Sequence, residues 1–334
     1  MKHTVKIISF CLLASIATAC WAEKDEFDNS PVSNIKHSIP GETIKYVSYN
    51  VTGFQPILSD SYHQTPVTLE GKLYLPKGEG PFPVVVLQHG TGSVKNYRPW
   101  LKNIVPELNQ NKLGAFVADS YSMRKPLMSN VRYLSLSARV LDGFQILKAL
   151  SKHPNIDANR IGIQGYSYGG MVAFFTAYKE LSDQLAPGID YAAHMPVYPG
   201  CDVVIKHMKQ TAASIEMVVA ELDDYAPAKD CIAYAPTIGV LNLYKGAHHG
   251  FVNAKPVKWH PDVGQFVKCK PGYINQSGNW FYNGKERSGA YSTIMSEIYR
   301  ECGGQGVTTG GTKRQQAQLI EDTVRFFKRM LIEK

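Results

Sequence analysis

The stretch "IQGYSYGGM" (163–171) sets Ser167 between Gly165 and Gly169, after one short apolar run and before another. A serine hydroxyl is a poor nucleophile until a nearby base takes its proton, so an acid and a histidine are expected to follow it in the chain. "VVAELDDYAPAKDC" (218–231) offers the acid as Asp223 or Asp224, and "LYKGAHHGF" (243–251) offers the histidine as His248 or His249. The chemistry these residue types suggest is nucleophilic acyl transfer. Adjacent histidines lack the spacing that places two ligands on one helical face, so a zinc site is not expected.

The surrounding pattern supplies elements to position such groups. "ETIKYVSY" (42–49) and "VTLEGKLYLP" (67–76) alternate apolar and polar residues, as antiparallel strands at a sheet edge do. "PFPVVVLQHG" (81–90) instead carries the continuous run Val84 to Leu87, which suits a strand buried on both faces. A helix around 97–109, a run at 113–120, a helix near 137–151 and the run before Ser167 continue the rhythm of a parallel sheet with crossovers. Two more apolar runs (214–221 and 239–246) follow, and a terminal helix presents Leu319, Ile320, Val324, Phe326, Phe327, Met330 and Leu331. Ser167 then falls where a strand turns sharply into a helix, and the acid and histidine fall just beyond later strands. Those are the loops where open α/β sheets bind ligands.

On these residues the chain resembles the dienelactone hydrolase family of the α/β-hydrolase superfamily. "LYLPKGEGPFPVVVLQHGTGS", "VADSYSMRK", "RIGIQGYSYGG", "AELDDYAPAKDC" and "GAHHGF" carry the likeness in that order, over about 67–251. The resemblance implies an α/β-hydrolase fold, a mostly parallel central sheet with helices on both faces. It assigns the acid to Asp223 over Asp224 and the base to His249 over His248. It also implies an oxyanion hole from the backbone N–H groups of Tyr168 and Thr91, with His89 supporting the loop. The family's founding enzymes use cysteine where this chain has Ser167, which points to a serine esterase of an exported branch rather than to a dienelactone substrate. Exported members of that branch have a cysteine pair flanking the acid loop, which Cys201 and Cys231 resemble.

The chain has 334 residues and a formal charge of +8, with its basic residues scattered rather than clustered. That distribution argues against nucleic-acid binding. "MKHTVKIISFCLLASIATACWA" reads as a signal peptide (1–22), its apolar run too short for a bilayer, which needs roughly 20 residues. Lipidation at Cys20 is the lesser alternative. A flexible leader (23–40) and a single domain (41–334) are expected to follow. The four cysteines beyond the leader suit an oxidising compartment, and chain order suggests Cys201 with Cys231 and Cys269 with Cys302.

Residues 252–311 form an excursion rich in Gly, Tyr, Asn and Lys without clear periodicity. Its aromatic residues Trp259, Tyr273, Trp280 and Tyr282 suit either a substrate platform or, more simply, a small satellite core. Asp119 and Arg124 suit either a pocket that attracts an anion or an ion pair. His194, His207 and His260 read as surface or core residues. The expected function is an exported carboxylic ester hydrolase acting on a small-molecule ester through an acyl-enzyme, with no cofactor and no membrane span; its oligomeric state is left open. The alternatives are a serine peptidase of the prolyl-oligopeptidase type and a non-catalytic binding protein of the envelope.

Overall fold

A computed structural model describes residues 41–92, 94–127, 134–234 and 239–334. The expected signal peptide and leader lie outside the described residues. An eight-stranded sheet runs in the order β1 (Glu42–Tyr49), β2 (Pro66–Tyr74), β4 (Gly114–Asp119), β3 (Phe82–Gln88), β5 (Ile156–Tyr166), β6 (Ala193–Val197), β8 (Ser214–Ala220) and β9 (Val240–Tyr244). β1 and β2 pair antiparallel, as does β2 with β4. From β4 to β9 every pairing is parallel. This is the α/β-hydrolase fold that the resemblance implies.

The apolar runs become strands because both faces of the sheet are covered. Val84 and Val86 of β3 point into a core with Phe144 and Phe175, whereas Val85 and Leu87 point into a second core with Trp100 and Phe327. The first face is covered by α3 (Leu136–Leu150), α4 (Tyr168–Phe175) and α5 (Lys179–Leu185), with the short helices α1 (Gln55–Leu58) and α6 (Ala228–Ile232) adding Ile57 and Cys231 to the same core, and the second by α2 (Arg98–Gln110) and α8 (Lys313–Leu331). Helix α8 opens with a capping box between Thr312 and Gln315, and it buries Leu319, Phe326, Phe327 and Leu331.

Two features depart from expectation, one strand and the way the excursion packs. β6 ("AHMPV") was not anticipated; it lies fully buried between β5 and β8. The excursion is ordered into short elements: β10 (Lys258–Gln265) pairs antiparallel with β14 (Gly304–Thr309). β7 (Val203–Ile205), β11 (Gly272–Ile274), β12 (Trp280–Tyr282) and β13 (Lys285–Arg287) make a four-stranded sheet, and α7 (Tyr291–Cys302) precedes β14. Its buried residues do not form a separate satellite core. Ile274, Trp280, Tyr282, Tyr291 and Ile298 join the core beside α3 and α4, because the small sheet adds to β7 of the main body. Trp259 instead stays 54% exposed. The sulfurs of Cys201 and Cys231 are 2.06 Å apart and those of Cys269 and Cys302 are 1.99 Å apart, both at disulfide distance.

Candidate active site

β5 ends at Tyr166 and α4 begins at Tyr168, so Ser167 alone makes the turn between them. Its backbone sits at φ 55° and ψ −119°, a conformation an L-residue holds at a cost of about 1–3 kcal/mol. The turn is held from outside by the Ser167 N–H, which donates to the Val197 carbonyl at 2.9 Å. Glycine is required on both sides by close approach. A Cβ at Gly165 would strike the backbone of Gly169, and one at Gly169 would strike the carbonyls of Gln88 and His89.

The hydroxyl of Ser167 lies 2.8 Å from His249 Nε2, and His249 Nδ1 lies 2.8 Å from Asp223 Oδ2. A carboxylate oxygen can only accept, so Nδ1 donates and Nε2 is left to accept from the serine. Asp223 stands just beyond β8 and His249 just beyond β9, each buried, so three strand ends converge on one point. The other oxygen of Asp223 accepts from the N–H groups of Tyr225 and Ala226, at 2.9 and 2.8 Å. The rings of Tyr198 and Tyr225 meet the imidazole edge-on, with centroids 4.9 and 4.8 Å away. Asp224, the other acid the sequence offered, instead accepts from the N–H and hydroxyl of Thr308, at 2.7 and 2.8 Å. His249 rather than His248 is the partner of Ser167.

Opposite this chain of hydrogen bonds is the loop after β3. A Cβ at Gly90 would lie 3.3 Å from the Cβ of Ser167, so this backbone runs against the serine, and Thr91 follows directly. Tyr168, as the first residue of α4, has no intrahelical acceptor for its N–H. His89 ties the loop down: its Nδ1–H donates to the Gly90 carbonyl at 2.7 Å, and its Nε2 accepts from the Ser120 N–H at 3.2 Å. Burial, helped by the Arg139 charge, lowers its pKa to about 3, which keeps it neutral in this role.

Arg139, which the sequence did not single out, is fully buried beneath this loop. It donates to the His89 carbonyl at 2.7 Å and lies against the rings of Tyr121 and Tyr168. Tyr291 was also missed. Its hydroxyl lies 3.3 Å from that of Tyr168, bringing the excursion to the residue after the serine. The pairing suggested for Asp119 and Arg124 does not form. Arg124 is buried in a two-pronged ion pair with Asp142, at 2.8 and 2.9 Å, whereas Asp119 accepts from Tyr121 and Ser122. Arg124 therefore serves the core and is not an exposed anion-binding group. His194 is buried, His207 is exposed, and His260 meets the Thr309 hydroxyl at 2.9 Å. Among the described residues no group of three His, Cys, Asp or Glu is arranged to hold a metal ion. No helix among them is long and apolar enough to cross a membrane.

No curated protein matches the chain. Solved structures with a similar chain path include a dienelactone hydrolase from Anabaena variabilis at 19% identity and TM-score 0.45, covering 62% of this chain and 88% of that one. A dienelactone hydrolase-like promiscuous phosphotriesterase from metagenomic libraries is 13% identical at TM-score 0.48, covering 87% of this chain and 99% of that one. A thermophilic esterase of Thermogutta terrifontis with butyrate bound is 15% identical at TM-score 0.43, covering 55% and 81%. Likeness this distant carries no conclusion about activity. The family is settled by sequence instead: the dienelactone hydrolase family model matches residues 69–266, more than half the chain and the span from β2 into β10 that delivers Ser167, Asp223 and His249. The chain belongs to the dienelactone hydrolase family.

Proposed function

We propose that this protein is an exported serine hydrolase that cleaves a carboxylic ester of a small molecule through an acyl-enzyme. The reading rests above all on the continuous link from Ser167 through His249 to Asp223, with both hydrogen bonds at 2.8 Å. Ser167 Oγ attacks the ester carbonyl carbon as its proton passes to His249 Nε2. Asp223 holds the imidazole with Nδ1–H toward itself and stabilises the imidazolium that forms. The carbonyl oxygen becomes an oxyanion, which the backbone N–H groups of Tyr168 and Thr91 stabilise as fixed donors. Collapse breaks the ester C–O bond, and the alcohol leaves with the proton from His249. Water then attacks the acyl carbon as His249 takes its proton, and the acid departs as Ser167 regains its hydrogen.

The reading of export is supported by the basic and apolar opening segment of the sequence and by the two cysteine pairs at disulfide distance, which suit an oxidising compartment. The test is labelling of the purified protein with a fluorophosphonate beside turnover of short-chain p-nitrophenyl esters, wild type against Ser167→Ala. Labelling and turnover in the wild type, both lost in the variant, are expected. A wild type that neither labels nor turns over would overturn the reading in favour of a binding protein built on a hydrolase fold.

A further inference from the structure

We propose that Asp224 and Thr308 form a clamp through which the excursion positions the acid and the base of the site. The proposal rests on the reading of Ser167, His249 and Asp223 as a catalytic triad. Asp223 is held within its own loop by the N–H groups of Tyr225 and Ala226, only two and three residues away. Those bonds fix the shape of the turn but not where the turn sits relative to the rest of the fold.

The Leu222 N–H ties the turn to the Ala247 carbonyl at 2.8 Å on one side, and the next residue adds a second reference on the other. Asp224 accepts two hydrogen bonds from Thr308 across 84 residues of chain, one from its N–H at 2.7 Å and one from its hydroxyl at 2.8 Å. Bonds to a charged acceptor are the stronger kind, and the paired donors fix direction as well as distance. Adjacent Cα atoms are about 3.8 Å apart, so holding Asp224 also restricts where Asp223 can go.

The same end of β14 holds the base. His249 and Thr309 form an isolated parallel bridge, and the N–H of Gly310 donates to the His249 carbonyl at 3.0 Å. Residues 308–310 thus fasten the acid loop and the histidine loop to one piece of backbone. That backbone has support of its own, because β10 pairs with it in a register that sets Trp259 opposite Thr308. Cys302, two residues before β14, is at disulfide distance from Cys269. The separation between Asp223 and His249 is therefore set by their own hydrogen bond, by the Leu222 N–H donating to the Ala247 carbonyl at 2.8 Å, and again through β14. Asp224 and Thr308 are positioning residues, and they touch no reacting atom.

The experiment compares Asp224→Ala, Thr308→Val and Thr308→Ser with wild type. A fluorophosphonate titrates the competent sites, and kcat for a p-nitrophenyl ester is taken per titrated site. This separates poorer positioning from a smaller folded fraction. Misplacement by about 1 Å can cost 100-fold in rate, so Asp224→Ala is expected to lower kcat by about 10- to 100-fold with KM within about twofold. Thr308→Val keeps the N–H donor and is expected to lose less. Thr308→Ser keeps both donors and is expected to stay close to wild type. An Asp224→Ala protein whose kcat per titrated site equals wild type would overturn the clamp, even if total activity has dropped through partial unfolding. A Thr308→Ser protein as impaired as Asp224→Ala would also overturn it. If the wild type itself takes up no probe, the triad reading falls and the clamp falls with it.

Discussion

Asparagine at position 223 would keep the acceptor for Tyr225 and Ala226 but could turn its amide N–H toward His249. Nδ1 would then become the acceptor and Nε2 the protonated nitrogen, the reverse of what proton transfer from Ser167 needs. Asp223→Asn is therefore expected to lower kcat by about 10³–10⁴-fold while leaving substrate binding and folding near wild type. Steady-state kinetics with an unfolding curve would check this. An Asn variant within tenfold of wild type would show that the carboxylate does not orient the ring. Ser167 was legible because its glycine neighbours and its place between two apolar runs are local features. The choice between Asp223 and Asp224 was legible only through the family resemblance and not from the residue types, since the two carry the same groups and differ only in which distant segment each faces. Arg139 left no signal either: it is one arginine in a helical pattern, and only the fold shows its guanidinium under the loop after β3.

The elbow works as an element because strand, turn and helix are too close for any side chain between them. Gly165→Ala would drive a methyl group into the backbone of Gly169, and no flexible side chain is there to move aside. The loss should reach about 3 kcal/mol or more by urea denaturation, with activity falling alongside it. Gly53→Ala, whose Cβ would meet its nearest neighbour at 3.9 Å, is the control and should be nearly neutral. A Gly165→Ala protein as stable as that control would mean the elbow tolerates bulk. Elements of this kind were readable where sequence length gave a period to count: β3, β4, β5 and β8 as apolar runs, α8 as a stripe. β6 escaped because five residues that include a histidine and a proline show no strand pattern, although their neighbours bury them completely. The three-residue strands of the excursion were too short for any periodicity. Helix α7 was not: Tyr291, Ile294 and Ile298 are its buried residues and have helical spacing, so that signal was present and overlooked.

At the scale of the whole molecule, burying both faces of the sheet also buries titratable groups that the apolar pattern does not advertise. Burial, with help from Arg139, brings His89 to about 3, and burial brings His194 to about 4. In the unfolded chain both would titrate near 6.5. Between about pH 6.5 and pH 4 the unfolded chain therefore binds protons that the folded protein refuses, and stability falls with pH. Each group contributes about 1.4 kcal/mol per pH unit below 6.5, and the two together about 2.7. The carboxylates act in both directions. Burial lifts Asp202 despite its hydrogen bond from Tyr282, which opposes the loss, whereas hydrogen bonds from Ser122 and Tyr121 outweigh burial and hold Asp119 below its usual range. Unfolding free energies measured by urea should fall from pH 7 to pH 5, with an uptake from the two histidines approaching two protons. Replacing His194 with Gln should remove one of these while leaving His89, and with it the loop beside Ser167, in place. A profile flat from pH 7 to pH 5 would mean that neither histidine stays neutral in the fold, and the tautomer assigned to His89 as the tie for Gly90 would have to be abandoned.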